Sequence, residues 1–201
     1  MRGRFPNARL LGAGLAMPGP FGVDSMSFIG PTTLTGWQEV DVRHELEKAV
    51  DLRAFIEIDM AAAALGEQLY GHGTGLSDYY YLFFGVGLGG TMVHDGEVVR
   101  GNWGNAGEFG HVPVVQDGEM CACGNKGCLE RYVSLEAFGR RKLPEDAWVA
   151  EIAPTFARAI RMIENLYDPQ TVVLGGLAPR SLLTRLAALA AAAEIPLIAV
   201  G

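Results

Sequence analysis

The sequence is short of charge, and shortest of positive charge. Only 19% of its 201 residues are charged, and 23 acidic against 16 basic side chains leave a formal net charge of −7. A face that binds phosphate backbones is basic, so direct nucleic-acid binding by this chain is not expected. Long apolar runs are missing as well, which excludes a membrane-spanning helix of about 20 residues. Aromatic residues are sparse at 9%, and Trp37, Trp103 and Trp148 read as packing residues rather than stacking platforms. Cysteine is scarce too: there are three, an odd number that cannot form a closed disulfide framework. What the chain has in quantity is apolar side chains, 49%, and glycine, 27 residues. That is enough to bury a core in one large domain or two small lobes.

The N-terminus loosely imitates a secretion signal, with Arg2, Arg4 and Arg9 before the apolar Leu10–Met17. The run is short, carries Gly12 and Gly14, and stops at Pro18-Gly19-Pro20. A buried strand leading into a rigid turn is the better reading. Together with reduced thiols, this places the protein in the cytoplasm.

The three cysteines fall within eight residues, as Cys121-x-Cys123-x4-Cys128, and His111 lies ten residues before the first. One imidazole nitrogen and three thiolates make a tetrahedral set suited to structural zinc, and the soft sulfur donors favour that metal. Gly124 and Gly127 let the backbone turn tightly around an ion. The plain alternative, three half-buried small hydrophobes, does not explain their confinement to one stretch.

The hydrophobic pattern gives strands alternating with helices, hence an α/β protein. Strands are expected at Leu10–Ala16, Phe55–Ile58, Tyr79–Phe84, His111–Val115, Thr171–Leu174 and Pro196–Val200. Helices are expected from an Asp41 cap through about Val50, over Met60–Tyr70, Leu135–Lys142 and Ser181–Ala193, and over about Asp146–Tyr167 with a restart or kink at Pro154. Asp95-Gly96 predicts a type I′ hairpin turn. A polar gap at Gly71–Asp78 marks the expected change of lobe, giving lobes at 1–75 and 76–201 with the knuckle at 111–128.

Several residues are placed for chemistry. Asp59 follows a strand and leads into a helix, a position for a general base or equally for a helix cap. Gly85-x-Gly87-x-Gly89-Gly90 after an apolar strand is a weak phosphate-loop signal, with a glycine-rich turn as the commoner explanation. Gly175-Gly176 is equally weak beside a tight turn. Glu108 and His111 are three apart and point to one side. If His111 gives one nitrogen to a metal, the other carries a proton for a ligand oxygen, while Glu108 and Glu130 accept from hydroxyls. A neutral polyol such as a sugar suits that mixture. His44, His72 and His94 have no comparable setting.

Taken together these motifs resemble the ROK family (repressor, open reading frame, kinase). The resemblance runs from LLGAGLAMPGP through D-x-x-A-A-A-L-G-E at 59–67, G-x-G-L-G-G at 85–90, AGEFGH at 106–111, C-x-C-G-x-x-G-C-L-E at 121–130 and DPQTVVLGG at 168–176. It implies an actin-like (ribonuclease H-like) sugar-kinase fold of two lobes. It also implies a hexose or N-acetylhexosamine ligand held by Gly19, Asp59, Glu108, His111 and Glu130, with Asp59 as catalytic base. His111, Cys121, Cys123 and Cys128 would hold zinc. Gly85, Gly87, Gly89 and Gly90 would approach the phosphates of ATP–Mg, with Gly175 and Gly176 near the adenosine. Members commonly pair, so a homodimer is expected.

The departures from that pattern are as informative. Family kinases open with a D-x-G-G-T phosphate hairpin and repressors with a winged helix-turn-helix; neither segment is seen here. The chain starts where a fourth strand is expected and stops short of the usual last helix. The N-terminal lobe is therefore expected to be incomplete, with Leu10–Ala16 as an exposed edge. Ile58 stands where the family has a sugar-binding Asn, and Val86 where it has Thr. The expected function is a sugar-sensing domain of the repressor branch or a degenerate kinase. The alternatives are an ATP-dependent sugar kinase and a zinc-stabilised interaction module with neither activity.

Overall fold

A computed structural model of the protein describes residues 9–18, 40–102, 104, 106–191 and 197–199. The chain forms two compact units, Met1–Asp59 and Met60–Gly201.

In the first unit, β1 (Ala13–Met17) and β2 (Ala54–Ile58) pair in parallel, from Ala13 opposite Ala54 to Met17 opposite Ile58. Among the described residues β1 pairs with β2 alone. Parallel neighbours need a crossover, and it contains α1 (Val42–Val50). The Asp41 carboxylate caps that helix by accepting from the His44 N–H at 3.0 Å. Asp51 ends it in the left-handed conformation, and Glu47 Oε1 then accepts from the Ala54 N–H at the head of β2. Along α1, Val42 is buried while Val50 is exposed.

The second unit is a five-stranded mixed sheet in the order β5-β4-β3-β6-β7. Its strands are β3 (Tyr79–Phe84), β4 (Leu88–His94), β5 (Glu97–Val98), β6 (Thr171–Gly176) and β7 (Leu197–Ala199). β3 is antiparallel to β4 and parallel to β6. Asp95 and Gly96 adopt φ of 49° and 75°, the left-handed pair that a two-residue I′ turn needs. The Tyr-Tyr-Tyr-Leu-Phe-Phe strand is apolar throughout because both of its faces are covered. Tyr80, Leu82 and Phe84 join the main core with Trp148, Phe156 and Ile160 of α4 (Glu145–Tyr167) and Leu182, Leu183 and Leu186 of α5 (Arg180–Ala191). On the other face, the Tyr79 hydroxyl donates to the Ala64 carbonyl of α2 (Asp59–Tyr70) at 2.7 Å.

The same helix is tied to the hairpin by Gln68 Nε2, which donates to the Gly96 carbonyl at 2.8 Å. These bonds hold α2 in the second unit, so compactness divides the chain after Asp59, ahead of the polar gap at 71–78. Two expectations are corrected. Pro154 neither restarts nor breaks α4; it sits on the exposed face, where water can reach the carbonyl it leaves unpaired. Gly175 and Gly176 are not a turn but the last two residues of β6, opposite Phe83 and Phe84. No described helix is long and apolar enough to cross a membrane.

Candidate functional site

Between β5 and α3 (Leu135–Arg141) the chain has almost no regular structure. The expected strand at His111–Val115 is instead a 3-10 turn, Phe109–His111, followed by a single antiparallel bridge from Pro113 to Cys128. Two packed-in glycines prevent a strand there. A Cβ on Gly110 would fall on the Leu88 carbonyl, and one on Gly107, at φ 105°, on the Gly90 carbonyl. The backbone must bend to lie against β4, and only glycine permits that approach. A second 3-10 turn, Leu129–Arg131, packs beside the first, with the Leu129 N–H donating to the Val112 carbonyl at 3.0 Å.

The loop between these turns brings the metal-ligating candidates together. Cys121 N–H donates to Asn125 O at 2.8 Å, Gly124 N–H to Cys121 O at 3.0 Å, and Gly127 N–H to Glu119 O at 2.8 Å. Donor atoms of His111, Cys121, Cys123 and Cys128 then all lie within 4.8 Å of one another. His111 Nδ1 is 3.5 Å from Cys121 Sγ, and Cys123 Sγ is 3.6 Å from Cys128 Sγ. Burial and the neighbouring sulfurs push the Cys128 thiol up to about 12. Cys121 is pushed up as well, chiefly by burial, so two of the three clustered thiols resist ionisation; one nitrogen with three sulfurs fits a closed tetrahedral zinc site.

Outside the ligands, a carboxylate braces the loop. Glu119 receives Arg140 at 2.6 Å and Arg141 at 3.1 Å, with Arg131 at 3.7 Å. Its own N–H donates to the Tyr132 hydroxyl at 2.8 Å. This hub, which sequence reasoning missed, joins the knuckle to α3. Its members lie up to 22 residues apart, so no local spacing announces it.

The candidate ligand-binding residues flank the knuckle. His111 turns Nδ1 towards the cysteines and Nε2 towards Glu108, whose Oε2 is 3.7 Å away. That is the order carboxylate–imidazole–thiolate, with Glu108 at ion-pair rather than hydrogen-bond distance. Glu130, on the second turn, points at the glycine loop and accepts the Leu88 N–H at 2.9 Å. Within the loop the Gly85 N–H donates to Gly87 O and the Gly90 N–H to Gly107 O. Three of its amide protons are thus spent inside the protein.

Gly175 and Gly176 lie beside the end of β3, where Phe84 O accepts from Leu177 and Ala178 N–H at 2.9 and 3.2 Å. The two weak glycine signals therefore meet at the carboxyl ends of adjacent parallel strands, where α/β sheets bind ligands. Asp59 is the first residue of α2, directly after β2, rather than a cap outside the helix. Gly19, Trp37 and Trp103 lie outside the described residues.

Two more features were not legible in sequence. The Tyr80 hydroxyl is buried with no hydrogen-bond partner among the described residues, its ring edge-on to Phe109 at 5.8 Å. Burial, with Tyr167 and Glu108 nearby, pushes its ionisation up. Across the hairpin, His94 Nδ1 lies 2.5 Å from Asp78 Oδ1, and the Ser77 hydroxyl donates to the other Asp78 oxygen. These two partners hold the Asp78 carboxyl below its ordinary value. With both oxygens engaged, Asp78, His94 and Asp95 act as a hairpin clamp.

The fold and site define an α/β protein with a Cys3His cluster beside glycine-lined strand ends, and comparison with known proteins names the family. Residues 5–148 match the ROK family, and the chain belongs to it. It is 36% identical over 128 residues to a xylose repressor of Caldicellulosiruptor bescii, covering 64% of this chain and 32% of the relative. It is also 36% identical over 132 residues to a glucokinase of Halalkalibacterium halodurans, covering 65% and 40%. Among solved structures it resembles a ROK family glucokinase from Streptomyces griseus in complex with glucose and AMPPNP. There the TM-score is 0.66 and identity 25%, over 82% of this chain and 68% of that one. The fold is accordingly the actin-like fold of ROK sugar kinases. The chain spans about a third of the length of the curated relatives it matches (32% and 40%).

Proposed function

We propose that this chain binds a sugar through Glu108, His111 and Glu130, with one zinc ion held by His111, Cys121, Cys123 and Cys128. The observation that carries the reading is the pair of 3-10 turns. They set two carboxylates and one imidazole around a loop whose donor set suits zinc. Bound there, zinc would contribute structure, holding the turns in register. The carboxylates accept from sugar hydroxyls, and neutral polyols satisfy them without adding charge to a chain at −7. Relatives named for xylose and for glucose both fit a hexose or pentose ligand.

Sensing without phosphoryl transfer is the favoured form of this function. Phosphoryl transfer relies on positive charge and amide donors around the phosphates. Here the Glu130 carboxylate faces the glycine loop, and the Gly85, Leu88 and Gly90 amides are already engaged. Ile58 offers no polar group beside Asp59.

The kinase reading rests on a different observation. Asp59 lies at the junction of β2 and α2, the place a general base would occupy. A coupled assay with ATP, magnesium and D-glucose separates the two readings. No turnover is expected. Turnover that vanishes in Asp59→Asn would replace sensing with catalysis. Calorimetry with D-glucose and D-xylose tests the common part, and absence of binding at millimolar sugar would leave a zinc-stabilised interaction module.

A further inference from the structure

Glu130 lies in a slot made by side chains that are missing. A Cβ built on Gly87 would overlap Glu130 Oε2 and lie 3.2 Å from its Cδ. A Cβ on Gly110 would come within 3.4 Å of the Glu130 Cβ. The carboxylate therefore fits against the loop only because position 87 has no side chain. Once there, its Oε2 accepts the Leu88 N–H at 2.9 Å, and the other oxygen accepts no hydrogen bond among the described residues. A glutamate side chain has three torsions to lose on binding. One backbone donor and two glycine walls remove that freedom beforehand, which is preorganisation.

We propose that Gly87 is a positioning residue for the ligand: it gives room to the Glu130 carboxylate, which the Leu88 amide then orients so that Oε1 faces a sugar hydroxyl. This deepens the sugar-binding reading and rests on it. It also gives the glycine loop a different role from a phosphate cradle. The Leu88 amide proton serves the sugar side of the site.

The test uses the full zinc-loaded chain and calorimetry with D-glucose and D-xylose. Gly87→Ala should weaken binding about tenfold or more, the scale expected when a binding group is displaced by roughly 1 Å. Its zinc content and melting temperature should stay near those of the parent. Gly139→Ala, in α3 with open space around it, should bind as the parent does. The double variant Gly87→Ala/Glu130→Asp, whose carboxylate is one methylene shorter, should bind more tightly than Gly87→Ala alone.

Parent-like binding by Gly87→Ala would overturn the proposal, as would losses that simply multiply in the double variant. The Leu88 amide resonance supplies a readout that needs no sugar. It should move in both Glu130→Gln and Gly87→Ala. If the parent binds neither sugar, or Gly87→Ala fails to fold, the resonance in Glu130→Gln decides. A shift there supports the positioning, and an unmoved resonance overturns it whatever becomes of sugar binding.

Discussion

The sheet of the second unit and the knuckle beside it are held together in opposite ways. In the sheet, Trp148, Phe156, Phe84, Leu82 and Leu182 are each at most 2% exposed, and apolar burial does the holding. From Phe109 to Tyr132 order comes from single bridges, glycines pressed on carbonyls, a carboxylate among three arginines and a cluster of four side chains that could hold a metal. The first kind of order tolerates sequence change as long as volume is kept. The second depends on particular atoms, which is where recognition chemistry is found. The difference is testable from both sides.

The largest effect should come from the sheet. Trp148→Ala removes a fully buried side chain packed on Phe84 and Phe138. It should cost about 3–5 kcal/mol in urea unfolding. A cost under about 1 kcal/mol would mean that apolar packing is not the main support of this unit.

The knuckle should answer to metal instead. Metal analysis should find one zinc per chain in the parent and none in Cys128→Ser or after a strong chelator. Amide exchange should rise across 109–133 while β3, β4 and β6 stay protected. Loss of protection throughout the sheet would make the two regions one cooperative unit and erase the contrast.

Alkali should act on the sheet side. Tyr79 is pushed from its ordinary 10.0 up to about 12, chiefly by burial and then by Glu67. Tyr80 and Tyr81 move the same way for the same first cause. A raised ionisation favours the protonated folded state. Its contribution is therefore complete below pH 10 and lost as pH climbs from 10 through 12. Melting temperature should fall over that window, and less steeply in Tyr79→Phe. A flat profile would contradict the burial of these phenols.

The smallest effect belongs to the brace. Glu119→Ala should cost about 1 kcal/mol, because its ion pairs are partly exposed and screened. The loss should appear as faster exchange in the knuckle at unchanged sheet protection. Loss of zinc in this variant would raise the brace to a condition of metal binding.

The same contrast explains what could be read in advance. β3, α4 and the Asp95-Gly96 turn follow from apolar runs and turn chemistry, which act over neighbouring residues. That His111 and the three cysteines gather was legible because the cysteines are confined to eight residues of sequence. The His111–Val115 strand was misread because Val112 and Val114 alternate like a strand. The bend that Gly107 and Gly110 permit is visible only when β4 lies beside them. Gly175-Gly176 looked like a turn because glycine is poor in strands, yet a Cβ at Gly176 would crowd the backbone of Phe84 on β3. The Glu119 hub, the Asp78–His94 clamp and the Glu130–Leu88 bond join residues far apart in sequence, 42 positions in the last case.

The central claim is that the metal and the two carboxylates make one sugar-binding device. It is tested most directly by titrating D-glucose and D-xylose into zinc-loaded protein, chelated protein and chelated protein given zinc again. The account predicts saturable binding of at least one sugar by the loaded form, its loss on chelation and its return with zinc. Binding that survives removal of the metal, or none by the loaded protein at millimolar sugar, would contradict it.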